Sequence, residues 1–141
     1  MNTLTIRRQL GAPPERVWRA LTDPAALVAW LWPARLRTTA EVDLRPGGRY
    51  RIAAAEADMA VSGVYEEVSE PHRLVFSWQW DGEPDTTRVT IELTGQDGGC
   101  ALLLVHEGFA DTAGRDSNAQ GWSDCLDRLP GWLTASTHLP R

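Results

Sequence analysis

The alternation of apolar and polar side chains between residues 35 and 107 most constrains how this chain folds. About six short segments place an apolar residue at every second position, which is the pattern of strands with one buried face. In one of them, Leu74, Phe76 and Trp78 share a face. Turn-forming sequences rich in Gly, Pro and Asp separate the segments, at residues 46–48, 81–84 and 96–99. The region therefore predicts antiparallel strands joined by tight turns.

Two short helices and one more strand are predicted before this region. Residues 3–10 alternate as a half-exposed strand. Pro14 lies in the first turn of a helix, where its missing N–H costs nothing. Asp23 followed by Pro24 is a second start signal, for a helix that ends near Trp30. Two short helices directly after a single strand are uncommon, so this arrangement helps to identify the fold.

A long helix is predicted at the C-terminal end. Its apolar stripe recurs at three and four residues, through Trp122, Leu126, Leu129 and Leu133. Capping oxygens precede the stripe, at Asp116, Ser117 and Asn118. Pro130 lies inside the pattern and is expected to kink or loosen the last turn. The element order predicts one α+β domain over residues 1–141, with a curved antiparallel sheet of about six or seven strands against the helix.

The tryptophans indicate what fills the space between sheet and helix. Six of the seven fall into pairs, Trp30 with Trp32, Trp78 with Trp80 and Trp122 with Trp132. Each pair lies in a segment whose period turns it inward, so the pairs are expected to meet around one interior space. Aromatic rings at this density form either the wall of an apolar pocket or a bulky core that leaves little room.

Composition and charge exclude several classes of function. The net charge of −5 and the scattered arginines argue against nucleic acid as a partner. No apolar run approaches the length of about 18 residues that crosses a bilayer, and the N-terminus does not have the order of a signal peptide. The expected location is the cytoplasm, where Cys100 and Cys125 remain reduced thiols. Neither cysteine has a partner at the spacing of a metal site, and no cofactor is expected.

Few residues qualify for acid–base chemistry. His106 ends an otherwise apolar inward face and is either a general acid or base, or a core histidine held by a backbone carbonyl or by Asp124. Glu66 and Glu67 straddle a strand, so one of them faces inward unless a bulge intervenes. An inward Glu67 has a raised pKa and suits a cyclase-like proton transfer. No nucleophile motif accompanies them.

Several stretches together resemble one known family. They are residues 12–24, 30–33, 43–50, 63–68, 106–109 and 121–122, followed by Leu126 and Leu129. In order and spacing they are similar to the START-like (SRPBCC) superfamily, and within it to the activator of heat-shock-protein-90 ATPase. The resemblance implies a helix-grip fold with a cavity between the sheet and the C-terminal helix. Members of the superfamily include lipid carriers, hormone-binding proteins and polyketide cyclases.

These observations predict a small protein that binds an apolar, aromatic small molecule in that cavity. The expected wall residues are Trp32, Tyr65, Phe76, Trp78, His106, Trp122, Leu126 and Leu129. One alternative is a cyclase- or hydrolase-like enzyme that uses an inward His106 or Glu67. The other is a chaperone cofactor or interaction module with a closed cavity, in which the apolar back of the last strand, at Leu103 and Val105, meets a second copy in a homodimer.

Overall fold

Seven strands form one curved antiparallel sheet in the computed structural model, which describes residues 2–137. The strands are β1 (Asn2–Leu10), β2 (Thr38–Val42), β3 (Arg49–Ala54), β4 (Met59–Ser69), β5 (Arg73–Trp80), β6 (Thr87–Gln96) and β7 (Gly99–Phe109). Their spatial order is β1-β7-β6-β5-β4-β3-β2. Every neighbour after β2 is joined by a short turn, and only the connection from β1 to β2 crosses the sheet. The predicted α+β class and strand count are confirmed.

The helices lie on the concave face of this sheet. They are α1 (Pro14–Thr22), α2 (Pro24–Trp30) and α3 (Thr112–Thr137). As predicted, Asp23 caps α2, because its side chain accepts a hydrogen bond of 3.2 Å from the N–H of Ala25. The α3 helix lies against β1 and β7, while α2 covers β2. Both edge strands of the open sheet therefore have a helix beside them.

The α3 helix starts earlier than the capping residues in the sequence indicated. It begins at Thr112 rather than near residue 116, because the Asp111 carboxylate accepts a hydrogen bond of 2.8 Å from the N–H of Gly114. This places Ser117 and Asn118 inside the helix, and the Asn118 side chain accepts a hydrogen bond of 3.1 Å from Trp80 of β5. The helix continues through Pro130 to Thr137. No helix among residues 2–137 combines the length and apolar character needed to span a bilayer.

The core lies between the concave face of the sheet and the stripe of α3. Trp122, Leu126, Leu129 and Leu133 of that stripe are all buried. They pack against inward side chains of the central strands, such as Leu104 and Ile91, which are also buried. Val28 is the one large apolar side chain that is exposed among the described residues. The periodicity of the sequence thus correctly predicted that this face of α3 is buried.

Candidate functional site

His106 is fully buried on β7 and is held by a chain of hydrogen bonds. Its Nδ1 accepts the indole hydrogen of Trp122 over 3.0 Å, so Nδ1 carries no hydrogen of its own. The hydrogen of the neutral ring is therefore on Nε2, which lies 2.6 Å from the hydroxyl oxygen of Thr87 and donates to it. The Thr87 hydroxyl in turn donates to the carbonyl of Trp78 over 3.1 Å. Every polar side-chain group in this series of hydrogen bonds, from Trp122 through His106 to Thr87, has a partner.

This arrangement makes His106 a structural residue that joins helix α3 to the sheet. Burial lowers the pKa of its imidazole from 6.5 to about 3, so the ring is neutral near pH 7. Both ring nitrogens are occupied, and neither is free to move a proton to or from a bound molecule. Asp124, the partner considered from sequence, instead accepts a hydrogen bond of 2.9 Å from Gln120. The core-histidine alternative thus describes His106, with different partners.

Glu67 does not face inward, so the condition under which a raised pKa was expected is not met. The pairing of β4 with β5 shifts between Tyr65 and Glu67, so Glu66 is the extra residue of a β-bulge. The bulge turns Glu66 and Glu67 to the outer face, where Glu67 pairs with Arg73 over 3.1 Å. Hydrogen bonds from Ser69 and Arg73 lower the pKa of the Glu67 carboxyl. The sheet separates it from His106.

The space predicted between sheet and helix is largely filled by side chains. A cavity of about 30 Å³ remains, lined by Leu21, Leu27, Trp30, Leu31, Tyr50, Ile52, Tyr65, Leu74, Phe76, Trp78, Ile91 and Trp122. Tyr50 lies 5.5 Å from both Tyr65 and Phe76, measured between ring centroids. This inner cavity has room for roughly one or two water molecules and is too small for a ligand. The Tyr50 hydroxyl is already used, since it donates to the Ser77 carbonyl over 2.6 Å.

A larger space opens beside the inner cavity, and we call it the groove. It has a volume of about 560 Å³ and is lined by Leu31, Trp32, Pro33, Asp58, Met59, Ala60, Trp78, Trp80, Asp81, Glu83, Gly114, Ser117, Asn118, Gly121, Trp122, Asp124, Cys125 and Arg128. It lies between α3, the segment after α2, and the adjoining ends of β4 and β5. Its volume is within the range of about 300–1,000 Å³ typical of small-molecule sites.

Small residues on α3 create this groove. Gly114, Ser117 and Gly121 recur at three and four residues, so they lie on one helix face and leave space above the sheet. A Cβ atom placed on Gly121 would have no neighbour within 4 Å. The opposite wall is aromatic. The groove therefore has one wall of small residues and one of large rings.

Four tryptophans form the aromatic wall, and they contact one another. Trp32 and Trp80 stack with ring centroids 6.1 Å apart and an interplanar angle of 20°. Trp78 meets Trp80 edge to face at 5.5 Å and Trp122 at 4.9 Å. Trp78, Trp122 and Leu31 line both the groove and the inner cavity. These three side chains are the partition between the two spaces.

Charged groups lie around the aromatic wall. Asp58, Glu83 and Asp124 line the groove without an ion pair to any described residue, whereas Asp81 is held by Arg51 at 2.7 Å. Arg128 donates to the carbonyls of Trp30 and Leu31, over 3.2 and 2.6 Å, and so fixes α3 to the end of α2. The charge of the groove is therefore mainly negative.

The one thiol in the groove wall is not activated. Burial raises the pKa of Cys125 to about 11, so its side chain is a neutral thiol near pH 7. The Arg128 guanidinium at 3.7 Å from its sulfur offsets this only in part. With His106 locked and Glu67 on the outer face, the residues considered for catalysis do not meet in the groove.

The structure distributes the eight predicted wall residues among three places. Trp32 lines the groove, Tyr65 and Phe76 line the inner cavity, and Trp78 and Trp122 line both. His106, Leu126 and Leu129 are buried behind these spaces and line neither of them. Trp80 also lines the groove; it was expected to face inward with Trp78 but was not among the eight named wall residues. The small residues of α3 were not predicted either, because bulky side chains, and not small ones, are the sequence signal of an apolar wall.

The outer face of the sheet carries the residues predicted for a homodimer. Leu103 and Val105 are half-buried there. Ion pairs cover the neighbouring positions, including Arg88 with Glu66 at 2.8 Å and Arg73 with Glu92. Charged cross-strand pairs are typical of a solvent-facing sheet surface. Dimerisation through this face stays a prediction, which a measurement of mass in solution tests.

The sheet, the two short helices and the long helix together define the class of protein. This is a helix-grip protein, in which a curved antiparallel sheet wraps around one long C-terminal helix. A family model described as Activator of Hsp90 ATPase homolog 1-like protein matches residues 11–134. Because the match covers most of the chain, the protein belongs to this family. The resemblance noted in the sequence is confirmed.

Solved structures agree with this assignment. Protein CV1439 from Chromobacterium violaceum is 33% identical, with a TM-score of 0.81 over 94% of this chain and 96% of that chain. CalU16 from Micromonospora echinospora is 27% identical, with a TM-score of 0.74 over 96% and 78% of the two chains. PFC0360w, an HSP90 activator from Plasmodium falciparum, is 24% identical, with a TM-score of 0.78 over 95% and 97%, and shares the fold. No curated protein matches the sequence significantly.

Proposed function

We propose that this protein binds an apolar, aromatic small molecule in the groove and does so without chemical conversion. The observation that carries the proposal is the wall of Trp32, Trp78, Trp80 and Trp122 along an open space of about 560 Å³. Rings of this size, held by contacts with one another, offer flat apolar surfaces on which an aromatic ligand stacks.

The energetics favour a ligand that is mostly apolar. Each 100 Å² of apolar ligand surface that leaves water contributes about 2.5 kcal/mol to binding. The groove presents large, pre-positioned rings, so little side-chain freedom is lost when the ligand enters. The sequence predicted a site in the central cavity between sheet and helix, whereas the proposed site is the groove beside that cavity. His106, Leu126 and Leu129 then support the wall from behind.

Native mass spectrometry of the protein purified without added ligand is the first test. A defined extra mass, extracted under denaturing conditions, supports the proposal and identifies the molecule. Binding is then measured with 1-indanone, a small aromatic molecule, by following the indole N–H resonances of the tryptophans. The expected result is a shift of the Trp32, Trp80 and Trp122 resonances. The proposal is wrong if no mass is bound and these resonances do not respond.

A groove-filling variant gives the matched control. Gly121→Leu places a side chain in the open space of the groove, where a Cβ meets nothing within 4 Å. It also replaces a poor helix former with a good one, so the fold should be retained or stabilised. Gly131→Leu makes the same change in the same helix, where a Cβ also meets nothing within 4 Å, but away from the groove lining. Binding should be lost in the first variant and kept in the second.

A further inference from the structure

The indole N–H of Trp78 is a buried hydrogen-bond donor without a partner among residues 2–137. Trp78 is 6% exposed. Three tryptophans near it have their indole N–H bonded. Trp30 donates to the Ala20 carbonyl over 2.8 Å, Trp80 to the Asn118 side chain over 3.1 Å, and Trp122 to His106 over 3.0 Å. Trp78 differs from these three, because its indole nitrogen is buried and has no partner among the described residues.

No acceptor among the described residues is within hydrogen-bond distance of this donor. Its ring neighbours are Trp80, Trp122, Phe76 and His106, with centroids between 4.9 and 6.3 Å away. Both nitrogens of His106 are already engaged, with Trp122 and Thr87. Buried donors in native proteins nearly always have an acceptor, since leaving one unpaired is costly. An acceptor supplied from outside the chain would remove this cost.

The position of Trp78 relates the unpaired donor to the proposed site. Trp78 is part of the partition between groove and inner cavity, and lines both. A molecule stacked on the aromatic wall therefore lies against this ring. Because the N–H is buried, a ligand oxygen reaches it only if the partition side chains move when the ligand binds. A purely hydrocarbon ligand would leave the donor unpaired.

We propose that the ligand is an uncharged aromatic carbonyl compound whose oxygen accepts the hydrogen bond of Trp78. This inference rests on the proposed function and adds the chemical class of the ligand. The N–H of Trp78 carries a partial positive charge and needs an acceptor, which the charged group of a cation does not provide. The unpaired carboxylates of Asp58, Glu83 and Asp124 repel an anion. A neutral carbonyl satisfies the donor and meets neither objection.

The test compares two ligands that differ only in the carbonyl group. 1-Indanone and indane share the same fused ring frame, with C=O in one replaced by CH₂ in the other. We expect 1-indanone to bind the wild-type protein about five- to tenfold more tightly, as one hydrogen bond to a previously unpaired donor predicts. The indole proton resonance of Trp78 should move downfield with 1-indanone and not with indane.

Two matched variants test whether the preference for 1-indanone depends on the indole nitrogen of Trp78. Trp78→Phe keeps an aromatic ring and removes the donor, so the preference for 1-indanone should fall to near onefold. Trp80→Phe removes a groove N–H that is already bonded to Asn118, so the preference should persist. If Trp78→Phe does not fold, the affinity ratio of the two ligands and the Trp78 shift in the wild-type protein decide the question.

The outcomes separate this inference from the proposed function. Equal affinities of the two ligands, with no specific shift of the Trp78 proton, would overturn the carbonyl inference and leave groove binding intact. That result would be explained by a weak bond from the N–H to a neighbouring ring, such as that of Trp80, whose plane is at 88° to that of Trp78. No response of Trp32, Trp80 or Trp122 to either ligand would overturn both proposals.

Discussion

Trp122 on helix α3 donates its indole hydrogen to Nδ1 of His106 on strand β7, over 3.0 Å. This bond fixes the tautomer of the histidine and, through Thr87, reaches the backbone of Trp78. The two tryptophans that form most of the partition between groove and inner cavity are therefore held by one buried imidazole. His106, which the sequence predicted to be part of the ligand wall, instead lies behind that wall and holds it in position.

Replacing His106 with alanine should destabilise the fold. The variant leaves a cavity and removes the partners of the Trp122 N–H and the Thr87 hydroxyl, so a loss of about 2–4 kcal/mol is expected in the free energy of unfolding. Urea denaturation followed by tryptophan fluorescence measures it. His72→Ala is the control, because His72 is exposed and makes one hydrogen bond, of 3.1 Å, to the Leu93 carbonyl. Equal stability of the two variants would contradict the structural role of His106.

The buried neutral His106 also predicts how stability depends on pH. Its pKa is about 3 in the folded state, against 6.5 ordinarily, so the unfolded chain binds more protons between these values. Stability is therefore complete above pH 6.5 and is lost as the pH falls towards 3. Between pH 7 and 5 the free energy of unfolding should decrease by about 2 kcal/mol. The measurement is urea denaturation at each pH.

His106→Asn provides the comparison for this pH dependence, because the other titrating groups remain. The decrease between pH 7 and 5 should largely disappear in the variant, although its stability at pH 7 is lower. A wild-type protein whose stability stays constant over this range would show that the histidine is not kept neutral by its surroundings. The range above pH 5 is chosen because carboxyl groups titrate below it.

The sequence allowed the fold to be predicted because period and turn chemistry act locally. Alternation placed Leu74, Phe76 and Trp78 on the buried face, and all three are buried. The start of α2 followed from Asp23 and the proline after it. The start of α3 did not, because several acidic and polar residues compete for the cap and Asp111 is the one in position.

The shape of the site could not be predicted in the same way. One extra residue in β4, Glu66, turns Glu67 to the outer face, and nothing in the strand pattern marks where a bulge falls. The volume between packed elements depends on side chains from distant segments. Large rings reduce the centre to about 30 Å³, while Gly114 and Gly121 open the groove beside it. Periodicity predicts which face of a strand or helix a residue lies on, but it does not predict the volume left between that face and the element packed against it.

Glu67→Gln should leave ligand binding unchanged. The carboxylate lies on the outer face, paired with Arg73 and separated from the groove by the sheet. The variant loses an exposed ion pair, so its midpoint of urea unfolding should differ little from that of the wild type. Titration with 1-indanone measures the binding. A clear loss of affinity would mean that the outer face communicates with the groove and would contradict the placement of Glu67.

Trp122→Phe and Trp78→Phe remove the same atoms from neighbouring rings and should differ in stability. Trp122→Phe deprives Nδ1 of His106 of its donor and leaves a buried acceptor unpaired. Trp78→Phe removes a donor that has no partner in the described chain, so only packing is lost. Trp122→Phe should therefore be the less stable variant by about 1–3 kcal/mol, measured by urea denaturation at pH 7. Both rings are buried to the same 6% exposure, so the loss of packing is comparable. If Trp78→Phe were the less stable of the two, the N–H of Trp78 would have to be bonded already, and the proposed bond to a ligand oxygen would lose its basis.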